Sequence, residues 1–258
     1  MRRGPLADRL RQLPDLLGEP CHRSGGSPRP ITLAVGVAHE LLEASEVHNR
    51  RIFANRQDAG RQLGEALGDL TPVADVVVLG LPRGGVPVAH EVAAAIGAPL
   101  DVFVVRKLGA PSQPELALGA VASGGTIVLN DEILRHLGVD RARLDAIIAA
   151  ERAVVDERDL AYRGDRAPLA VEGQTVVVVD DGLATGATMR AALAALRTRN
   201  VGELVAAAPV APPEVVTMLD GEADRVVVLE APDRFIAVGA WYGDFRQVSD
   251  EEVRELIR

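Results

Sequence analysis

The sequence predicts an α/β protein with a mainly parallel sheet flanked by helices. Three observations lead there. The strand candidates are apolar throughout instead of alternating, they take turns with amphipathic helices along the chain, and 258 residues suit one such domain with additions better than two full domains. A strand covered on both faces has no polar side, so an unbroken run of Val, Leu and Ala marks a sheet with helices above and below it.

In chain order, residues 1–46 lack periodicity and contain the breaker-rich CHRSGGSPRP, which predicts a weakly ordered extension ahead of a domain spanning 47–258. A working start near Val47 is the alternative. RIFANRQDAGRQLGEALGDL puts Ile52, Phe53, Ala59, Leu63, Ala66, Leu67 and Leu70 on one stripe of an amphipathic helix. VADVVVLGLP (73–82) predicts a buried strand, RGG a turn, and VPVAHEVAAAIG a helix ended by Gly97. PLDVFVVRK (99–107) predicts the next strand, LGAPSQPE a break, LALGAVASGG a further strand and TIVLN (126–130) a short one. DEILRHLGV and DRARLDAIIAAERAVVDERDLAYR predict helices whose acidic starts suit the positive end of the helix dipole. Beyond the strand ending at Val179 follow a helix in TMRAALAALRTRN, a strand in ELVAAAPVA, a helix in PPEVVTMLDG and a strand in DRVVVLEA. The tail, 235–258, holds four of the seven aromatics and ends in a short helix.

A formal charge of -9 and a pI near 5.1 argue against a general nucleic-acid binder, which needs broad cationic surface, so an anionic ligand would require a local site. Cys21 is the only cysteine, which excludes an internal disulfide framework and a cysteine zinc cluster; in its loop-like setting it reads as a bystander thiol. No apolar run approaches the ~20 residues of a membrane span, and no signal-peptide core follows Arg2 and Arg3, so the cytoplasm is the expected compartment. Lys107 is the sole lysine among 28 basic residues, in a chain whose Arg, Ala, Val and Gly content is what a GC-rich genome produces. Its survival under that bias singles it out.

The most informative stretch is VVVVDDGLATGAT, 176–188. Ligands of open α/β sheets bind at the carboxyl ends of the strands, where this loop lies. Gly182 and Gly186 permit close backbone approach, Thr185 and Thr188 supply hydroxyls, and a helix starts at once: these are the parts of an anion cradle. No Gly-Lys-Thr makes it a Walker loop, and the glycine spacing is wrong for a dinucleotide fingerprint. Asp180 and Asp181 would repel a phosphate, so they address another part of the ligand, either hydroxyl donors or a metal. A ribose phosphate carries a phosphate at one end and a diol at the other.

This stretch resembles the PRPP-binding motif of the type I phosphoribosyltransferases, and the resemblance extends over roughly residues 50–235. LPRGGVPVA, VRKLGAP and PELALGAV are similar to a group of stand-alone bacterial members of unassigned acceptor. The resemblance implies the type I fold with a small hood drawn from the tail and from the region before residue 70. It implies that Asp180 and Asp181 bind the ribose hydroxyls of PRPP, and that Gly182, Leu183, Ala184, Thr185, Gly186, Ala187 and Thr188 hold its 5-phosphate. Arg83, Gly84 and Gly85 match the pyrophosphate loop, and the segment after Lys107 matches the flexible loop that closes over the site. Lys107 and Arg83 would then oppose the charge of the leaving pyrophosphate, and Mg²⁺ would arrive through PRPP with no direct protein ligand. A small-molecule nitrogenous acceptor and a possible homodimer complete the expectation.

Other readings stay open for several residues. Asp180 and Asp181 could cap the following helix, Arg83 and Lys107 could be surface cations, and Arg106 could serve either role. Glu115 reads as a solvated carboxylate, and His90 and His136 as surface or capping residues. Trp241, Tyr242 and Phe245 fit either an apolar wall for an acceptor base or simple core packing. Two further functions compete with transfer: a PRPP- or nucleotide-binding regulator without turnover, and a phosphohydrolase that uses the two acids as metal ligands, which no third acid or His cluster supports.

Overall fold

The computed structural model describes residues 53–70, 75–110 and 113–258, with backbone alone at 113–115. The expectations for the 1–46 extension, Cys21, Val47, Ile52 and the Glu115 side chain lie outside the described residues. The chain runs α1 (Arg56–Ala66), β1 (Val76–Gly80), α2 (Gly85–Ile96), β2 (Leu100–Val102), β3 (Val105–Ala110), β4 (Gln113–Ala122), β5 (Thr126–Leu129), α3 (Asp131–Leu137) and α4 (Arg141–Arg163). It continues through β6 (Thr175–Val179), α5 (Ala187–Arg197), β7 (Glu203–Val210), α6 (Pro213–Asp220), β8 (Arg225–Glu230) and α7 (Asp250–Leu256).

The main sheet is fully parallel in the order β2-β1-β6-β7-β8. Its central strand β6 is the run that the sequence marks: Val176, Val177, Val178 and Val179 are each 0% exposed. Alternate residues serve opposite layers. Val176 and Val178 join the side packed by Met189, Leu193 and Leu196 of α5, while Val177 and Val179 join the side packed by α1 and α2. Each such valine contributes roughly 1.5–3 kcal/mol of burial, and the central strand therefore fixes the loop that follows it. Helices α1 and α2 meet closely at Gly60, where a Cβ would stand 2.7 Å from Glu91 Cβ.

The expected strand 99–107 is two strands in two sheets. After β2 the chain leaves the parallel ladder at Phe103 and Val104, where Phe103 N still donates to Gly80 O but Val104 N donates to the Ser123 hydroxyl at 2.8 Å. From Val105 it pairs antiparallel with β4 in a second sheet, β3-β4-β5. The expected break LGAPSQPE is largely strand: β3 runs to Ala110 and β4 starts at Gln113, so the segment expected as a flexible loop is a hairpin with residues 111 and 112 outside the description. This sheet lies between α5 and α4. The hood expectation is narrowed as well. Helix α1 packs on α2, while its first turns and the residues just before it meet the tail, through the parallel bridge of Phe53 with Tyr242, the bond of Arg56 to the Arg246 carbonyl and the packing of Ala59 with Tyr242.

Candidate functional site at the carboxyl ends of β1 and β6

Neighbouring strands β1 and β6 end side by side, and their ladder continues past both: Leu81 N donates to Val179 O at 2.9 Å and Asp180 N to Ala207 O at 3.2 Å. The turn Pro82–Gly85 is thereby set against the acid pair. A Cβ on Gly84 would stand 2.0 Å from Asp181 Oδ2, and one on Gly85 would stand 2.6 Å from Val179 O and 2.8 Å from Asp180 Cα. Two glycines are what this approach requires. The Pro82–Arg83 peptide bond is cis.

The acid pair is only partly compensated. Asp180 Oδ1 accepts from Asp181 N at 2.9 Å. Burial first, and the charge of Asp181 next, push the Asp180 carboxyl well above the usual carboxylate range. Burial also raises Asp181, with Arg56 working against it through a 2.8 Å bond from Arg56 Nε to Asp181 Oδ2. The Tyr242 hydroxyl donates to the Asp181 carbonyl oxygen, and burial, then the charge of Asp181, raises that phenol above its ordinary range.

Beyond the acids, Gly182 and Leu183 are buried, and Leu183 N donates to Val210 O at 2.9 Å. Ala184, Thr185, Ala187 and Thr188 are exposed. Gly186 takes a left-handed φ of 68° at the head of α5, where no side chain caps the helix, and Thr185 Oγ1 accepts from Ala187 N at 3.4 Å. A helix start carries N–H groups without intrahelical partners and a positive dipole end, so a loop that exposes Thr185 and Thr188 there is a place for an anion.

A cavity of about 360 Å³ opens between the Pro82–Gly85 turn and the tail, lined by Arg56, Arg83, Gly84, Asp181, Phe245, Gln247 and Val248. Arg83 is half-exposed, with Nη1 3.8 Å from Asp250 Oδ1 of α7. Tyr242 is 1% exposed, stacked between Phe53 at 5.5 Å and Phe245 at 5.0 Å, so core packing is its role, whereas Phe245 is 37% exposed on the cavity wall. Trp241 packs at the rim of the same cluster.

Not every residue singled out in the sequence arrives here. Lys107 lies on β3 opposite Ala120, half-exposed, and is not among the residues lining the cavity. Arg106 pairs with Glu151 of α4 at 2.8 Å, a structural contact. His90 Nδ1 lies 3.0 Å from Leu256 O, linking α2 to α7, and His136 sits in the last turn of α3. Among the described residues no group of three His, Cys, Asp or Glu could hold a metal ion, and no helix is long and apolar enough to cross a membrane.

Arg56 is the site residue that sequence reasoning missed. Its side chain is 10% exposed, Nη1 donates to Arg246 O at 2.8 Å, and its guanidinium carbon lies 3.9 Å from the Phe245 ring centroid. One signal was available. Arg56 is the first residue of α1, directly after the N-cap Asn55, and a cation at the positive end of a helix dipole calls for an acid from elsewhere.

Comparison with known proteins agrees with this arrangement. Residues 48–240 match the phosphoribosyl transferase domain family. Two curated proteins of Mycobacterium tuberculosis, Rv0571c and MT0597, are each 48% identical over 203 residues, covering 79% of this chain and 46% of theirs, so the chain spans about half the length of the curated relatives it matches. The crystal structure of TT1426 from Thermus thermophilus is 48% identical, covers 80% of this chain and 97% of its own, and superposes with a TM-score of 0.74. With the glycine turn, the acid pair and the Gly/Thr loop assembled inside the matched span, the chain belongs to the phosphoribosyl transferase domain family.

Proposed function

We propose that the protein transfers the 5-phosphoribosyl group of PRPP to a nitrogenous, nucleobase-like acceptor and releases pyrophosphate. The observation that carries this reading is the contact of the two-glycine turn with the two carboxylates beside an exposed helix start. That order, anion site, acid pair, anion site, matches pyrophosphate, ribose diol and 5-phosphate in one ligand.

In this reading Asp180 and Asp181 accept hydrogen bonds from the ribose hydroxyls in their ionised form, the form that burial disfavours. Gly182 to Thr188 receive the 5-phosphate. Arg83 and the backbone of Gly84 and Gly85 receive the pyrophosphate, with Lys107 brought in by movement of its hairpin. The C1–O bond breaks with its electron pair leaving on pyrophosphate, the acceptor nitrogen forms the C1–N bond, and its proton passes to solvent. Positive charge develops on the ribose as in glycoside cleavage, and Arg83 offsets the negative charge of the leaving group. Mg²⁺ bound to PRPP would neutralise the pyrophosphate; with two acids and no third protein ligand among the described residues, the donor set fits an ion carried by the oxygens of PRPP. Phe245 offers the acceptor ring an apolar wall. A cytoplasmic homodimer without nucleic-acid partners accords with this role and with the acidic charge.

Calorimetric titration with PRPP and Mg²⁺, followed by a pyrophosphate-release screen of nitrogenous acceptors, tests the proposal. Wild type should bind and turn over, and an Asp180→Asn, Asp181→Asn double variant should do neither. Binding without turnover on any acceptor would favour the regulator; a folded wild type that ignores PRPP would end the PRPP reading.

A further inference from the structure

Arg56 stands where three parts of the molecule meet. It opens α1, its Nε holds Asp181 Oδ2 at 2.8 Å, its Nη1 holds the Arg246 carbonyl at 2.8 Å, and its guanidinium plane covers Phe245. The tail it grips lies beyond the span of the family match, which ends at residue 240. The charge it supplies is needed because Asp180 and Asp181 are both only partly exposed and their carboxyls act on each other. Hydrogen bonds from Asp180 and the backbone assist at Asp181, but among the described residues Arg56 is the one cation there. Tyr242 donates to the carbonyl and not the carboxylate, Arg83 is drawn toward Asp250, and the charge of Arg56 reaches the acids Asp244 and Glu252 as well.

Resting on the PRPP reading above, we infer that Arg56 is a positioning residue which keeps Asp181 ionised and aimed, so that the acid pair accepts the ribose diol at neutral pH, and which ties that state to the placement of the Phe245 tail. Without Arg56 the pair holds a proton that must be released before the diol can bind. The burial-driven rise of both carboxyls, opposed at Asp181 by Arg56 next to burial in size, supports the direction of this effect. Arginine suits the place because its planar fork serves the carboxylate and the carbonyl at once while stacking on a ring.

The test is titration of PRPP with Mg²⁺ into the full chain and its Arg56→Gln and Arg56→Lys variants between about pH 6 and pH 9, with thermal unfolding as the fold control. In Arg56→Gln the affinity near neutrality should fall by about tenfold or more, and the pH at which affinity is half restored should rise by about one unit relative to wild type, one unit being a tenfold change in protonation. Arg56→Lys, which keeps the charge, should stay within about threefold of wild type with the wild-type pH profile. A Gln variant that binds as wild type does, or loses affinity equally at every pH, overturns the inference while leaving the PRPP site intact. Should the Gln variant not fold, the Lys variant decides: a wild-type pH profile supports the inference, and a pH-independent loss overturns it. No binding by wild type strikes at the PRPP reading itself.

Discussion

Two arginines in this fold each stand at a pair of acids that is largely covered, and the pairs are built differently. Arg163, at the end of α4, is 5% exposed; its Nε bonds Asp101 at 2.9 Å and its Nη1 bonds Asp159 at 3.1 Å. Its Nη2 donates to Val102 O at 2.7 Å, and the acids are further satisfied by Val102 N, Leu169 N and the Ser123 hydroxyl. Asp101 and Asp159 come from different elements, with the cation between them. Asp180 and Asp181 come from consecutive positions, and Arg56 reaches only the second. The first cluster joins the two sheets through a dense set of bonds to its acids. The second leaves carboxylate capacity open at the mouth of a cavity, which is what a ligand with hydroxyl donors requires.

The largest expected effect separates the two. Arg163→Met strands two acids in the interior and should cost about 3–5 kcal/mol in urea unfolding. Arg56→Gln should cost less, because an adjacent pair can hold a proton in place of the lost cation. Equal losses would erase the distinction between a structural and a functional cluster.

Next in size is Gly84→Ala. A methyl 2.0 Å from Asp181 Oδ2 must displace the carboxylate or the turn. Overpacking of this kind should cost about 1–3 kcal/mol in urea unfolding, and because the displaced carboxylate is one that would meet the ligand, PRPP affinity measured by calorimetry should fall by about tenfold or more. Unchanged affinity would mean that the turn and the acid pair do not act on one ligand.

Asp180→Asn should move stability the other way. A carboxyl whose folded pKa is raised supplies stability that is complete below its unfolded value near 3.8 and is lost as pH rises through the folded value. Burial penalises the ionised form, so replacing the titrating group with a neutral amide should raise stability at neutral pH by about 1 kcal/mol, or about 2–4 °C in Tm, while PRPP binding fails. The Asn side-chain oxygen can still accept from Asp181 N. A drop in Tm would place Asp180 with Asp101 as a structural acid.

How much of this was legible in sequence follows from the range of each interaction. The parallel strands were readable because Val176 to Val179 state their burial locally, and the glycine turn and Gly/Thr loop because backbone approach restricts residue type at fixed offsets. The exit of the chain at Phe103 and Val104 was not, since PLDVFVVRK carries no turn residue to mark it and the switch is made by Ser123, far along the chain, whose hydroxyl replaces a ladder partner. Lys107 was distinctive in composition and expected at a strand end, yet its pairing opposite Ala120 depends on a hairpin that the breaker residues after it argue against. Arg56 was hidden among many arginines because its partner lies 125 residues away.

The smallest effect probes the seam between the tail and the structural half. The Tyr162 hydroxyl on α4 donates to Asp250 Oδ1 at 2.8 Å, the same carboxylate oxygen that Arg83 approaches, so the bond reaches from the helix carrying Arg163 to the edge of the cavity. Burial, then the Asp250 bond, pushes the phenol up to about 12. A raised folded value means that its contribution is whole below the ordinary 10.0 and disappears as pH climbs toward about 12. Tyr162→Phe should cost about 1 kcal/mol at neutral pH and flatten the loss of stability over that alkaline window, measured by urea unfolding at several pH values. If Asp250, once released, turns fully to Arg83, the same variant should also weaken pyrophosphate binding by a few-fold, because the arginine that faces the leaving group would then be neutralised by its neighbour. A variant that loses stability but binds pyrophosphate as wild type does would show that the tail is anchored independently of the site it borders.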